Sequence, residues 1–499
     1  MKMMMKKIFI LITVLSISLM FSSCEGFLDV KPSNSGDSAS SIQSEDDAAV
    51  FMRGIMRKIS SSSYLGRNFI LYGDAKGGDL GIVSQGRGSD ALYVFNHSKT
   101  SNSYSGYWSQ MYHCLAQINT LIANVDKLDK EGKMSDGLAM YKAEALTLRA
   151  MIHFDLVRIY GQPYQQNGGS SLGVPVVIAP TDASDQPTRA TVAQVYEQIV
   201  ADLQAAETSG DLAQDPSDRE GFINHWGNLA IQARVFQTMG DNTKALKAAE
   251  AVINSSKFTL YGKDEWVSSW SKQFGSESIF ELSIYPDEGD MGTGSLGFYY
   301  RRYKDGSTRA SGWFMASDYW LTKIDEDPQD IRKGIMSYDE IADDRFGACY
   351  KYSGGVDKGG DGKSSSTAVN IKVIRLSEMY LIAAEAALAS DKNKAANYLN
   401  EIRGSRSSNL ALATASTVSL DMVLNEKSKE FFGEGLRYFD MLRLGKDITF
   451  CDEMITPNVP IPHRDKTINT WNFFKCILPI GQGEIDANPA IASQQNPGY

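Results

Sequence analysis

The sequence predicts a mainly α-helical fold, in which tetratricopeptide-like helical hairpins pack against a loop-rich half with short strands. Three observations lead there. Apolar residues recur at helical spacing over residues 141–160, and the pattern stops at Gly161, a natural helix end. Two later stretches, 229–252 and 379–402, repeat one another at a constant offset. Ala233, Gly240, Ala245 and Val252 in the first correspond to Ala383, Ser390, Ala395 and Ile402 in the second. Residues 255–370, between and around them, are rich in Gly, Ser, Tyr and Trp, a composition suited to loops and short strands.

The elements follow in chain order. Lys2, Lys6 and Lys7 precede an apolar run over residues 8–21. That run is shorter than the ~20 residues a bilayer demands and matches the apolar region of a cleavable secretion signal. Ser22 and Ser23 are small enough for a protease cleft, and Cys24 supplies a thiol. The pattern resembles a bacterial lipobox, with Cys24 lipidated and first in the mature chain. An ordinary signal peptide with an incidental cysteine is the alternative. Residues 29–41 (DVKPSNSGDSASS) read as a flexible tether. The expected organisation is a signal over 1–23, a lipidated tether over 24–41, and one globular domain over 42–499, with halves at about 42–215 and about 216–499. Thr191 is a natural N-cap for a helix over 192–207, with Pro187 shortly before it. The repeated stretches have the spacing of two antiparallel helices, with small residues where the helices cross and Gly240 or Ser390 at the turn. A strand is expected over 278–284.

Composition excludes several functions. The formal net charge is −10, and removing residues 1–23 takes away lysines and no acids. Nucleic-acid binding leans on Lys and Arg, so none is expected. Besides Cys24 the cysteines are Cys114, Cys349, Cys451 and Cys476, without CxxC spacing. No zinc site follows, and Cys451–Cys476 is one disulfide that export would permit. The histidines form no HExxH motif, and no metal or other cofactor is expected. Glu426, Glu430 and Glu434 fall on one helical stripe, with Arg437 and Arg443 within ion-pair reach of Glu434 and Asp440. Hydrolysis needs two carboxylates facing each other across a cleft, so this stripe reads as structural, and no catalytic residue is assigned.

Further motifs carry a family resemblance. Phe27-Leu28-Asp29 and Pro32 follow Cys24. The segment from Glu426 to Arg443 (EKSKEFFGEGLRYFDMLR) stands near the end, and Leu478-Pro-Ile480, Glu484-Ile-Asp486-Ala-Asn488-Pro489 and Gln495-Asn-Pro-Gly-Tyr499 close the chain. Together they are similar to the SusD/RagB family of Bacteroidetes. The resemblance implies an outer-membrane lipoprotein, facing the cell exterior, that captures oligo- or polysaccharide and hands it to a TonB-dependent, SusC-like porin.

Sugars present apolar C–H faces as well as hydroxyls, so aromatic rings in loops, flanked by polar groups, are candidate binding residues. One group contains Tyr93, Phe95, His97 and Tyr104, with Asp79 and Arg87 upstream; His97 is read as a polar surface residue. The resemblance carries ligand binding onto Asp79, Arg87 and Tyr104. The second group is Phe298-Tyr299-Tyr300 with Trp313, from which Tyr299, Tyr300 and Trp313 are selected. Trp108 and Tyr112, four apart beside Met111 and Leu115, read as helix core, and Trp320 reads as core too. Three functions stay open: a glycan-binding subunit, favoured by the aromatic loops; an oligopeptide-binding, RagB-like subunit of the same kind of importer; and a surface glycoside hydrolase. Cys24→Ala should abolish detergent partitioning and palmitate labelling. A mutant that still takes up labelled palmitate would refute lipidation at this residue.

Overall fold

The structure, a computed structural model, describes residues 41–83, 90–100, 104–182, 184–285, 294–301, 312–338, 345–363, 369–452, 454 and 461–499; Cys24, most of the tether and Arg87 lie outside the described residues. Local start signals act where the sequence places them. Ser135 accepts from the Leu138 N–H and opens a helix over Asp136–Tyr160, which ends at Gly161. Thr191 and Gln194 form a reciprocal capping box at the start of Val192–Ser209. The Asp136–Tyr160 helix packs between Ser105–Lys130 and Val192–Ser209, with Glu45–Ile59 alongside. Its inner face is locked to Val192–Ser209 by Arg149, which bonds both oxygens of Asp202 at 2.8 and 2.7 Å.

Both repeated stretches are helical hairpins. The first joins His225–Met239 to Asn242–Ile253 through Gly240, whose φ of 82° is left-handed and suits glycine. The second joins Leu376–Ala387 to Lys392–Arg406, with Asp391 capping the second helix. Although far apart in sequence, they stack directly, Asn242–Ile253 lying against Leu376–Ala387. Glu250 holds the stack by accepting from Lys394 at 2.7 Å and from the Tyr398 hydroxyl at 2.6 Å. Gln237 adds a 2.8 Å bond to Glu385.

Among the described residues the strands form four two-stranded antiparallel sheets. β1 (Leu80–Ile82) pairs with β3 (Phe314–Ala316), and β2 (Ser278–Leu282) with β6 (Ile371–Arg375). β4 (Met336–Tyr338) pairs with β5 (Phe346–Cys349), and β7 (Asp447–Thr449) with β8 (Thr467–Asn469). A large hydrophobic core draws on residues from Ile42 to Ile491. The C-terminus is clasped to the first half. Arg189 donates to the carbonyls of Gly173 (2.6 Å) and Tyr160 (3.0 Å) and to Asn496 Oδ1 (2.8 Å), while Asn496 donates to the carbonyls of Tyr160 (2.8 Å) and Leu478 (2.7 Å).

The acidic stripe differs from its sequence reading. The helix Leu420–Glu430 stops at Glu430, and the chain turns through Gly433, at φ 78°, before Glu434. The three glutamates therefore converge on arginines from other elements. Arg375 donates to Glu277 (3.0 Å), Glu430 (2.9 Å) and both oxygens of Glu434 (2.9 and 2.7 Å). Arg406 donates to Glu277 (2.6 Å) and Glu430 (3.1 Å), and Arg332 pairs with Glu426 at 2.8 Å. Arg443 meets Asp440 at 2.8 Å as expected, whereas Arg437 lies 3.8 Å from Asp79 and Glu434 pairs with Lys351 at 2.7 Å. All four cysteines of the described residues are free, so Cys451 and Cys476 are not joined; Cys476 is buried, its thiol against Tyr438 and Lys76.

Burial alone would raise the Glu430 carboxyl, but the guanidinium groups of Arg406, Arg375 and Arg332 hold it well below the usual range. Folding lowers this pKa, so the unfolded chain takes up the proton more readily. The stabilisation is complete above the unfolded glutamate value of about 4.3 and is lost as pH falls through the lower folded value. Glu430→Gln should cost about 3–5 kcal/mol near neutral pH. Denaturant titrations should show that difference shrinking in acid; a difference constant with pH would mean Glu430 is not ionised in the fold.

Candidate functional site

The site grows from the short ladder between β1 and β3. Trp313 immediately precedes β3, and its carbonyl accepts from the Val83 N–H at 2.9 Å, extending the ladder by one bond. Gly312 adopts φ 52° and donates to the Phe298 carbonyl at 3.1 Å. That bond brings Trp313 back over the short helix Leu296–Tyr300, which Ser295 caps. Three rings meet there nearly edge to face. Tyr299 and Trp313 have centroids 5.1 Å apart at 84°, Phe298 and Trp313 6.3 Å at 65°, and Phe298 and Tyr299 5.5 Å at 73°. Trp313 and Phe298 are half-buried, whereas Tyr299 is only 9% exposed.

Polar groups flank the rings. The Arg67 guanidinium sits 5.0 Å from the Tyr299 ring centre, and its Nε donates to Asn68 Oδ1 at 2.9 Å. Both side chains are half-buried. Tyr107 lies within electrostatic reach of Arg67 and Tyr299; burial pushes its phenol up, and Arg67 opposes the shift. Tyr104 follows at 6.0 Å from Tyr107. Tyr104 thus packs on Tyr107, and Tyr107 is near enough to Arg67 and Tyr299 to feel their charge. The segment carrying Arg87 leaves the described residues at Val83, bonded to Trp313, and re-enters at Asp90, whose charge acts on Tyr104.

Two selected residues are committed elsewhere. Tyr300 is fully buried, and its hydroxyl donates to Asp74 at 2.6 Å. Burial raises Asp74 to about 7, against the opposing bonds from Tyr300 and the Gly435 N–H. Tyr300 faces inward because it closes the inner side of the turn whose outer side carries Phe298 and Tyr299. Asp79 is also buried, accepting from Ser428 at 2.8 Å and from Lys323 at 3.2 Å. It ties β1 to the Leu420–Glu430 helix and is not among the aromatic group. His97, expected at the surface, is 2% exposed, stacks on Tyr499, and contacts the Lys475 carbonyl at 3.1 Å. Burial and the nearby lysines Lys76 and Lys475 push it down to about 2, so it is neutral.

Sequence reasoning missed Arg67, Asn68 and Tyr107, which no loop composition marks. It also missed that Trp108, packed on Tyr112 and Tyr160 as core, lines a pocket as well. Trp320 is core as expected, donating to the Ser428 carbonyl at 3.0 Å. Among the described residues no cluster of His, Cys, Asp or Glu has metal-binding geometry. Trp313→Ala should weaken glycan binding by roughly 1–3 kcal/mol, taking aromatic stacking on nucleobases as the analogue. Tyr300→Phe should instead destabilise the fold by about 1–3 kcal/mol, because Asp74 loses its hydroxyl partner, and change affinity far less than Trp313→Ala does. Calorimetric titration beside denaturant melts separates the two; the opposite pattern would exchange their roles.

The comparisons with known proteins agree over most of the chain. Residues 276–499 match the family model described as SusD family, and residues 26–235 match one described as starch-binding associating with outer membrane. A SusD superfamily crystal structure from Bacteroides thetaiotaomicron superposes with a TM-score of 0.81 at 32% identity, covering 91% of this chain and 100% of that one. Another from Bacteroides vulgatus gives a TM-score of 0.80 at 31% identity, over 92% and 100%. The SusD-like protein P38 of Formosa agariphila is 22% identical over 480 residues, 86% of this chain and 89% of that protein. With family models on both halves and a relative above 30% identity covered end to end, this chain belongs to the SusD family.

Proposed function

We propose that this protein is a non-catalytic, lipid-anchored glycan-binding subunit on the outside of the outer membrane. It captures oligo- or polysaccharide and delivers it to a TonB-dependent, SusC-like porin. The observation that carries this reading is the ring group Phe298, Tyr299 and Trp313 beside Arg67 and Asn68. Rings offer apolar surface to a pyranose face, and the flanking guanidinium and amide offer donors and acceptors to its hydroxyls. The family description that couples starch binding to the outer membrane supports the same chemistry and place. Binding without turnover is supported by how the central carboxylates are used. Glu277, Glu426 and Glu430 are buried against arginines, so they are held away from any substrate.

A lipid-tethered binder outside the membrane cannot move its cargo inward alone, so the reading requires a channel partner. Screening the purified protein on a glycan array and against a peptide pool should return glycans and leave them uncleaved over long incubation. Selective peptide binding would replace the ligand class, and hydrolysis abolished by one Asp or Glu substitution would replace the mechanism. Pull-down of the native lipoprotein in mild detergent should bring a β-barrel protein with it; its absence would remove the porin from the model.

A further inference from the structure

A second cavity opens between the start of the Ser105–Lys130 helix and residues 479–484. Its volume is about 290 Å³, at the small end of the ~300–1,000 Å³ typical of ligand pockets. Tyr104, Trp108 and Tyr160 form aromatic walls, and Ser109 and Glu484 bring polar groups. The opposite walls are pinned together. Gln482 donates to the Lys99 carbonyl at 2.8 Å, and Leu478 donates to the Ile159 carbonyl at 2.9 Å. The cavity is therefore a built feature of the closed C-terminus.

Its polar groups are left in a state that calls for a ligand. The Tyr104 hydroxyl is buried and has no hydrogen-bond partner among the described residues. An orphaned buried hydroxyl costs free energy that a ligand oxygen would recover. Tyr104 is also the N-cap residue of the Ser105–Lys130 helix and caps it with no side-chain bond, leaving first-turn N–H groups without that acceptor. Glu484, in the cavity wall, is half-buried, and hydrogen bonds from Trp108 and Asn488 hold its carboxyl. A carboxylate beside aromatic rings fits a small neutral ring bearing several hydroxyls.

We infer that this cavity is a second sugar subsite, taking one neutral pyranose unit, with Trp108 as its wall and Glu484 as the acceptor for its hydroxyls. The inference rests on the glycan-binding reading. It extends that reading, because Tyr104, which lines the cavity, packs on Tyr107, whose phenol feels Tyr299 of the ring group. A glycan lying along the Tyr299–Trp313 rings would end, or branch, into it.

The test uses the full mature chain labelled with 5-fluorotryptophan, its fluorine resonances assigned through Trp108→Phe and Trp313→Phe. The probes are the methyl pyranosides of glucose, galactose, mannose and xylose, and oligosaccharides of the same four sugars. The Trp108 resonance should move with at least one methyl pyranoside. Glu484→Gln should weaken that response roughly tenfold, the loss expected for one hydrogen bond to a charged acceptor. Gly483→Leu should weaken it too; Gly483 lines the cavity and a Cβ there meets nothing within 4 Å, so the backbone accepts a side chain and this variant serves if Glu484→Gln fails to fold. If oligosaccharides move Trp313 while no sugar moves Trp108, the subsite is overturned and the platform stands. If Trp108 moves and Trp313 never does, the subsite stands and the platform falls. Silence at both tryptophans removes both.

Discussion

The buried exchange of charge around Glu430 is the constraint on which the rest of the molecule depends. Arg375 enters it from β6, Arg406 from the end of the second hairpin, Arg332 from the loop-rich half, and Glu277 from just before β2. These segments come from far apart in the chain, and their own backbone bonds do not fix how they meet one another. A carboxylate removed from water is tolerated only when surrounded by partners, and a guanidinium likewise. The cluster is therefore satisfied only when all four segments arrive together. It acts as a registration device between the helical hairpins and the loop-rich half more than as a source of net stability.

The aromatic group inherits its position from that frame. Asp79 ties the root of β1 to the Leu420–Glu430 helix through Ser428 and is flanked by Lys323. β1 in turn carries β3, and the ladder ends in the bond from Val83 to Trp313. Tyr300 and Asp74 fix the short helix from beneath, with the Gly435 N–H joining the same carboxylate. Residues that resembled ligand contacts in the sequence are thus the supports that hold the rings still. On the proposed function, rings held by such supports would meet a glycan with little ordering left to do.

Much of the architecture was legible because it is written locally. The Thr191 cap, the Gly161 stop and the left-handed turn at Gly240 are short-range signals, and each took effect. The repeat was legible because small residues must recur wherever two helices cross closely. The glutamate stripe was misread at Glu434 because the helix ends four residues earlier, at a point where tertiary arginines outweigh helical continuation. Within the candidate site, consecutive Phe298, Tyr299 and Tyr300 look equivalent in composition, yet one turn of helix sends them to different surroundings. Composition cannot say which of three adjacent rings faces inward. Nor could it reveal His97 as buried, since its burial depends on Tyr499 at the far end of the chain.

The clasp between Arg189 and Asn496 bears on the order in which this chain folds. Arg189 reaches the carbonyls of Tyr160, Leu172 and Gly173 close by in sequence, whereas Asn496, 307 residues on from Arg189, joins it and the Tyr160 carbonyl only across a long loop. Contacts of such sequence separation form slowly, because the loop between them must close before they return any free energy. The clasp therefore closes late, as a latch over elements that shorter-range contacts have already assembled.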